Sequence, residues 1–203
     1  MADDIIIIGG GQAAAQAAQS LRADGFAGAL HIFSDEPYAP YQRPPLSKKF
    51  LAGEIGYDRV ELKAEDFYAS AGITTHWGLR VTEIDRKAKH ILTADGQSYD
   101  YGKLLIATGS RVREINVPGF DLDGVHYLRN IDDVTAIQAH FRPGAKMVVV
   151  GGGYIGLEVA AVAVKRGIDV TVIETAERVM ARVVDPIVSQ FYERVHREEG
   201  VKI

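Results

Sequence analysis

Two glycine turns of one kind, set 142 residues apart, constrain this chain more than any other feature. The first is Ile5-Ile6-Ile7-Ile8-Gly9-Gly10-Gly11-Gln12-Ala13-Ala14, and the second is Met147-Val148-Val149-Val150-Gly151-Gly152-Gly153-Tyr154-Ile155-Gly156. Each reads as a strand buried on both faces, a G-x-G-x-x-G/A turn and then a helix. In such a turn the first glycine (Gly9, Gly151) permits the tight bend and the second (Gly11, Gly153) lets the backbone approach a pyrophosphate. The third small residue (Ala14, Gly156) lets helix and strand pack closely. Free N–H groups at the helix N-terminus then face the phosphates. One such match is a weak signal, but two in register are a strong one.

The register runs past the glycines. Gly25 follows Gly9 by 16 residues, and Gly167 follows Gly151 by the same 16. Both are predicted to end a helix in the left-handed conformation. A second strand follows each, Ala29 to Ser34 and Asp169 to Ile173, and each leads into acid: Asp35 and Glu36 in the first copy, Glu174 in the second. That is the spacing at which a carboxylate meets a ribose 2′-hydroxyl. Two dinucleotide sites in one chain imply electron transfer between two cofactors, and a nicotinamide with a flavin is the pairing that works chemically.

Composition narrows the reading. The net charge of −4 over 203 residues gives no basic footprint for nucleic acid. There is no cysteine, which excludes a thiol relay, a disulfide and any cysteine-held metal or cluster within these residues. The six histidines show no metal-ligand spacing and read as packing residues. The acidic Met1-Ala2-Asp3-Asp4 start, followed by only four apolar residues, fits neither a signal peptide nor a membrane span, so a cytoplasmic location is expected.

The predicted fold class is α/β, with two Rossmann-like, three-layer, mostly parallel subdomains and a small antiparallel β-meander. Between the fingerprints, the proline-rich run 35–50 leads to a helix near Pro45, residues 64–71 read as a short helix, and Ile73 to Trp77 as a strand. Arg80 to Ile84 and His90 to Thr93 form the meander, with a hairpin turn at Asp95-Gly96. Lys103 to Ser110 is an apolar strand running into small residues; that end is either a plain glycine turn or a loop pressed on a nucleotide. Asn130 is placed to cap a helix to His140, and Asp185-Pro186 to open one closed by Gly200. The subdomain boundary falls between 113 and 114, giving 1–113 and 114–203. Val201-Lys202-Ile203 reads as a strand just begun, so the chain is expected to be the N-terminal portion of a longer polypeptide.

With these residues in view, the chain resembles the FAD-dependent NADH:ferredoxin reductases of oxygenase systems, the putidaredoxin and rubredoxin reductase group. The likeness is most specific at Pro40-Tyr41-Gln42-Arg43-Pro44-Pro45-Leu46-Ser47-Lys48. Ala107-Thr108-Gly109, Tyr127-Leu128-Arg129 and the stretch from Gly151 to Glu158 join it. The resemblance implies FAD at the first fingerprint and NAD at the second. Ala13, Asp35, Arg43, Lys48, Val81, Ala107, Thr108, Gly109 and Arg129 fall at flavin positions, and Gly153, Tyr154, Ile155, Gly156, Glu158 and Glu174 at nicotinamide-cofactor positions. Ala14 stands where a third glycine is more usual. By the same resemblance the partner is a ferredoxin-type iron-sulfur protein, and a further loop to the flavin and a further domain lie beyond Ile203.

Two residues carry the implied chemistry. Lys48 alone would read as a solvated lysine, and Glu158 as a dipole-complementing acid on a helix's first turn. Within the motif they are expected to pair, Lys48 as a cation beside the flavin and Glu158 facing the nicotinamide. Arg43 fits a bidentate phosphate contact. Glu174 implies NADH over NADPH, although Arg178 and Arg182 lie close in sequence. The alternatives are a monodehydroascorbate reductase, an NADH-oxidising sensor flavoprotein, or a catalytically idle dinucleotide-binding module.

Overall fold

The computed structural model describes residues 4–203. The chain forms two compact units, one of residues 1–42 with 57–111 and the other of 43–56 with 112–203. The segment Arg43–Gly56 therefore groups with the second unit, where the sequence placed it inside a continuous 1–113.

The first unit is built on a parallel sheet of β1 (Ile5–Ile8), β2 (Leu30–Phe33), β3 (Thr74–His76) and β7 (Lys103–Ile106), in the order β3-β2-β1-β7. All four isoleucines of β1 are buried, and alternate ones serve opposite faces. Ile5 and Ile7 pack with Ala14 and Ala18 of α1 (Gln12–Ala23) and with Tyr68 of α2 (Glu65–Ser70). Ile6 and Ile8 pack with Phe33, Ile91 and Tyr101 beneath a second, antiparallel sheet. That sheet is β4 (Val81–Asp85), β5 (His90–Thr93) and β6 (Ser98–Asp100). The result is helix, parallel sheet and antiparallel sheet in three layers. Alanine on the buried stripe of α1 brings the helix close to the sheet and costs little to hold helical. The 64–71 helix, the strand within 73–77 and the meander fall where the sequence placed them.

The second unit pairs β8 (Lys146–Val150) in parallel with β9 (Asp169–Ile173) and connects them through α4 (Tyr154–Lys165). Lys202 adds a parallel bridge to Thr171. Helix α3 (Ile131–Gln138) opens with a capping box, Asn130 accepting from the Asp133 N–H and Asp133 from the Asn130 N–H. Helix α5 (Pro186–Glu198) is pinned to α4 by His196, whose ring nitrogens lie at 2.9 and 3.1 Å from the carbonyls of Tyr192 and Leu157.

Helices α1, α4 and α5 all end in the same way. Gly25, Gly167 and Gly200 lie at positive φ, and in each case this residue and the next donate back to the last turn. These are paired 5→2 and 6→1 bonds that satisfy carbonyls left over at the helix end.

Three local expectations are corrected. The helix near Pro45 is a single 3-10 turn, Pro44–Ser47, because Lys48 leaves the helical region. Among the described residues the run Met147–Val150 is covered on one face: α4 and its neighbours cover Met147 and Val149, while Val148 and Val150 are 59% and 62% exposed. Edge strand β7 likewise leaves Leu105 and Ile106 exposed. An apolar run fixes that a strand forms, and the elements packed on each face fix which side chains are buried.

Candidate functional site

In the first unit β1 delivers the chain to Gly9 at φ +123°, and α1 begins after Gly11. Gly11 is the N-cap and offers no side-chain acceptor, so among the described residues no side chain caps the first amides of α1. A Cβ built on Gly11 would meet nothing within 4 Å, so the helix end opens onto free space. At Gly9 the opposite holds: a Cβ would overlap the Ala107 carbonyl oxygen. The Ala107 N–H donates to Ile8 O at 2.7 Å, so the Ala107-Thr108-Gly109 loop is pressed against the fingerprint itself. Beyond β2 come two acids. Glu36 accepts from the Tyr41 hydroxyl at 2.5 Å, whereas Asp35 is exposed. Val81 starts β4 opposite Thr93, and Ala13 is exposed in the first turn of α1. This cradle fits a dinucleotide pyrophosphate.

The second unit repeats the arrangement. Gly151 lies at φ +109°, Gly153 is an N-cap with no side-chain bond, and a Cβ on Gly153 would meet nothing within 4 Å. Gly156 differs from Ala14, because a Cβ there would overlap Gly151 O. Helix α4 thus crosses its glycine turn too closely for a methyl, whereas α1 accommodates the buried Ala14. Glu174 closes the cradle: its carboxylate accepts the Gly152 N–H and the Ala176 N–H, each at 2.8 Å. Those backbone bonds, the Ala176 N–H foremost, hold the Glu174 carboxyl below its ordinary pKa, so the cradle carries a fixed negative charge. Arg178 does not offset it. Its guanidinium donates to Val184 O at 2.9 Å, Ser189 Oγ at 2.6 Å and Ala181 O at 3.2 Å, fastening the loop before α5. Arg182 is exposed.

The strand registers expose a relationship that the spacing concealed. Ile8 pairs with Phe33, and Val150 with Ile173, so the residue following each second strand is Ser34 in one unit and Glu174 in the other. Ser34 lies against Gly10 as Glu174 lies against Gly152. The first unit's acids are therefore displaced by one or two residues from the second's.

Segment 43–56 is tied to α3 and α4 within the second unit. Arg43 donates to Arg129 O at 2.8 Å, and Gln138 donates to Phe50 O and Leu51 O. Lys48 Nζ sits 2.8 Å from Glu158 Oε2 and 3.1 Å from Pro44 O. The ion pair expected from the motif is thus present in the fold. Ser47, which sequence reasoning passed over, donates to the same Oε2 at 2.5 Å. Tyr154 and Ile155, also on the first turn of α4, are exposed. No group of three or more potential metal ligands occurs among the described residues. None of their helices is long and apolar enough to cross a membrane.

The profile of the pyridine nucleotide-disulphide oxidoreductases matches residues 3–203. The chain belongs to this family. Within the family it is 43% identical over 98% of its length to a ferredoxin–NAD(P)(+) reductase of a Sphingomonas species, and 40% identical over 99% to the putidaredoxin reductase of Pseudomonas putida. It covers 48% of each of those proteins, so the chain spans about half the length of the curated relatives it matches. Among solved structures it superimposes on the reductase in a covalent putidaredoxin reductase–putidaredoxin complex with a TM-score of 0.92, at 40% identity, covering 99% of this chain and 49% of that one. A ferredoxin reductase of Rhodopseudomonas palustris gives 0.94 at 38% identity, with 98% and 49% covered. The disulphide of the family's name has no counterpart within these residues, which contain no cysteine.

Proposed function

We propose that the chain forms the dinucleotide-binding part of an NADH-dependent, FAD-containing reductase that passes electrons to a ferredoxin-type iron-sulfur protein of an oxygenase system. The observation that carries this reading is the pair of open cradles, each an uncapped helix N-terminus behind a glycine turn, in a chain without cysteine. The first cradle takes FAD and the second NAD. A flavin supplies the conversion of a two-electron hydride donor into single electrons. The protein's own residues bind, orient and set the local field. Gly9, Gly11, Ala13 and Ala14 form the flavin cradle with Asp35, Val81 and the Ala107-Thr108-Gly109 loop; Arg43 and Arg129 complete the flavin set. Gly151, Gly153, Tyr154, Ile155 and Gly156 form the nicotinamide-nucleotide cradle, with Glu174 on the ribose. Lys48 supplies a cation that favours the reduced flavin, and Glu158 faces the nicotinamide. The names of the relatives support the ferredoxin-type acceptor. A cytoplasmic location is part of the proposal.

The test is an acceptor panel. With NADH and the FAD-loaded protein, reduction of a small iron-sulfur protein should exceed reduction of monodehydroascorbate and of oxygen. Preferred turnover of either of the other acceptors would overturn the assignment of the partner.

A further inference from the structure

We propose that Ser47 is the fixed anchor of Glu158, positioning that carboxylate for the nicotinamide end of a bound pyridine nucleotide independently of Lys48. The inference rests on the reading that the second cradle takes NAD.

Two donors converge on one carboxylate oxygen. Ser47 Oγ lies 2.5 Å and Lys48 Nζ 2.8 Å from Glu158 Oε2, while Oε1 carries no hydrogen bond among the described residues. The donors differ in kind. Ser47 is 4% exposed and ends a 3-10 turn whose first two residues are prolines, so its hydroxyl stands on a short stub with fixed backbone. Lys48 carries its charge on a flexible four-carbon stem, with a side chain 48% exposed, and shares it with Pro44 O. An exposed ion pair on such a stem holds geometry weakly, because side-chain entropy and solvent oppose it. A buried hydroxyl bonded to a charged acceptor holds it well. Ser47 therefore fixes the position of Oε2, and Lys48 can turn to another anion without releasing Glu158.

The free oxygen is then the useful one. Glu158 lies one helical turn beyond Tyr154, on the same face of α4 and five residues past the cradle glycine Gly153. A nicotinamide bears a carboxamide with two N–H donors, and a carboxylate oxygen with unused lone pairs is their complement. Holding Oε2 in place narrows the positions open to Oε1, which lowers the entropy lost on binding.

Calorimetric titration with NAD⁺ and, separately, ADP-ribose tests this. ADP-ribose keeps the pyrophosphate and adenosine and lacks the nicotinamide. Ser47→Ala should weaken NAD⁺ binding roughly tenfold and leave ADP-ribose unchanged, and it should have no further effect in a Glu158→Ala background. Equal losses for both ligands, no loss for either, or an undiminished effect of Ser47→Ala in the Glu158→Ala background would each overturn the proposal. If this pattern holds but NADH fails to reduce bound flavin, the proposed activity falls and the role of Ser47 stands. If the unaltered protein binds no NAD⁺, both fall.

Discussion

Glu174 accepts the backbone N–H of Gly152 at 2.8 Å, so the acid at the end of β9 is bonded to the middle glycine of the fingerprint it serves. The contact fixes a negative charge at the mouth of the second cradle. With Arg178 committed to Val184, Ala181 and Ser189, nothing in that loop is poised to receive a 2′-phosphate except the exposed Arg182. NADH is therefore expected over NADPH, and Glu174→Gln should narrow the ratio of kcat/KM values on the order of tenfold, or about 1.4 kcal/mol. Comparison of the two coenzymes in both proteins checks it. Because the Glu174 pKa is lowered, the preference should hold through neutral pH and fade only as pH falls below the ordinary carboxylate range, about pH 4.

The two fingerprints should respond oppositely to one methyl group. Gly156→Ala places a Cβ on Gly151 O, an overpacking that is expected to cost about 1–3 kcal/mol and to remove nucleotide binding at the second cradle. Ala14→Gly only loosens a helix that already fits, at a cost of about 1 kcal/mol in helix propensity. Thermal unfolding and separate titrations with FAD and NAD⁺ distinguish the two.

Lys48→Ala should leave stability within about 1 kcal/mol, since the ion pair is half exposed and Ser47 still holds Glu158. The proposed flavin role predicts a larger effect elsewhere: slower flavin reduction by NADH and a lowered flavin potential. Rapid-mixing kinetics and a redox titration matching the unaltered protein would reduce Lys48 to a surface residue.

Acid should weaken the first unit. His31 Nδ1 and His76 Nε2 lie 3.2 Å apart on neighbouring strands, both rings stacked with Phe33 and Tyr99 meeting His76 edge-on. Burial lowers both pKa values, outweighing Asp4 beside His31 and Asp95 beside His76. A histidine with a lowered folded pKa binds protons more readily when unfolded. Its stabilising effect is therefore complete above the unfolded value, about 6.5, and is lost as pH falls toward the folded value. Melting temperature should drop between about pH 7 and pH 5, and His76→Gln should flatten that slope.

Much of this was legible in the sequence, for physical reasons. Glycine turns, helix-ending glycines and the Asn130 cap are local devices, and all appear where the residues placed them. The Lys48–Glu158 pair joins residues 110 apart, and only the resemblance brought them together. Ser47 was missed because its aim depends on a 3-10 turn where the prolines suggested an α-helix. The exposed Val148 and Val150 could not be told from the buried β1 isoleucines, since composition is alike and only the packed neighbours differ. The Ser34–Glu174 equivalence needed strand register, which spacing to the nearest acid does not report.

Anaerobic addition of NADH to the FAD-loaded protein tests the central claim most directly. The account predicts that one equivalent of NADH bleaches the flavin's visible absorption and that adding two equivalents of an oxidised one-electron iron-sulfur protein restores it. An FAD-loaded protein whose spectrum NADH leaves unchanged would contradict it.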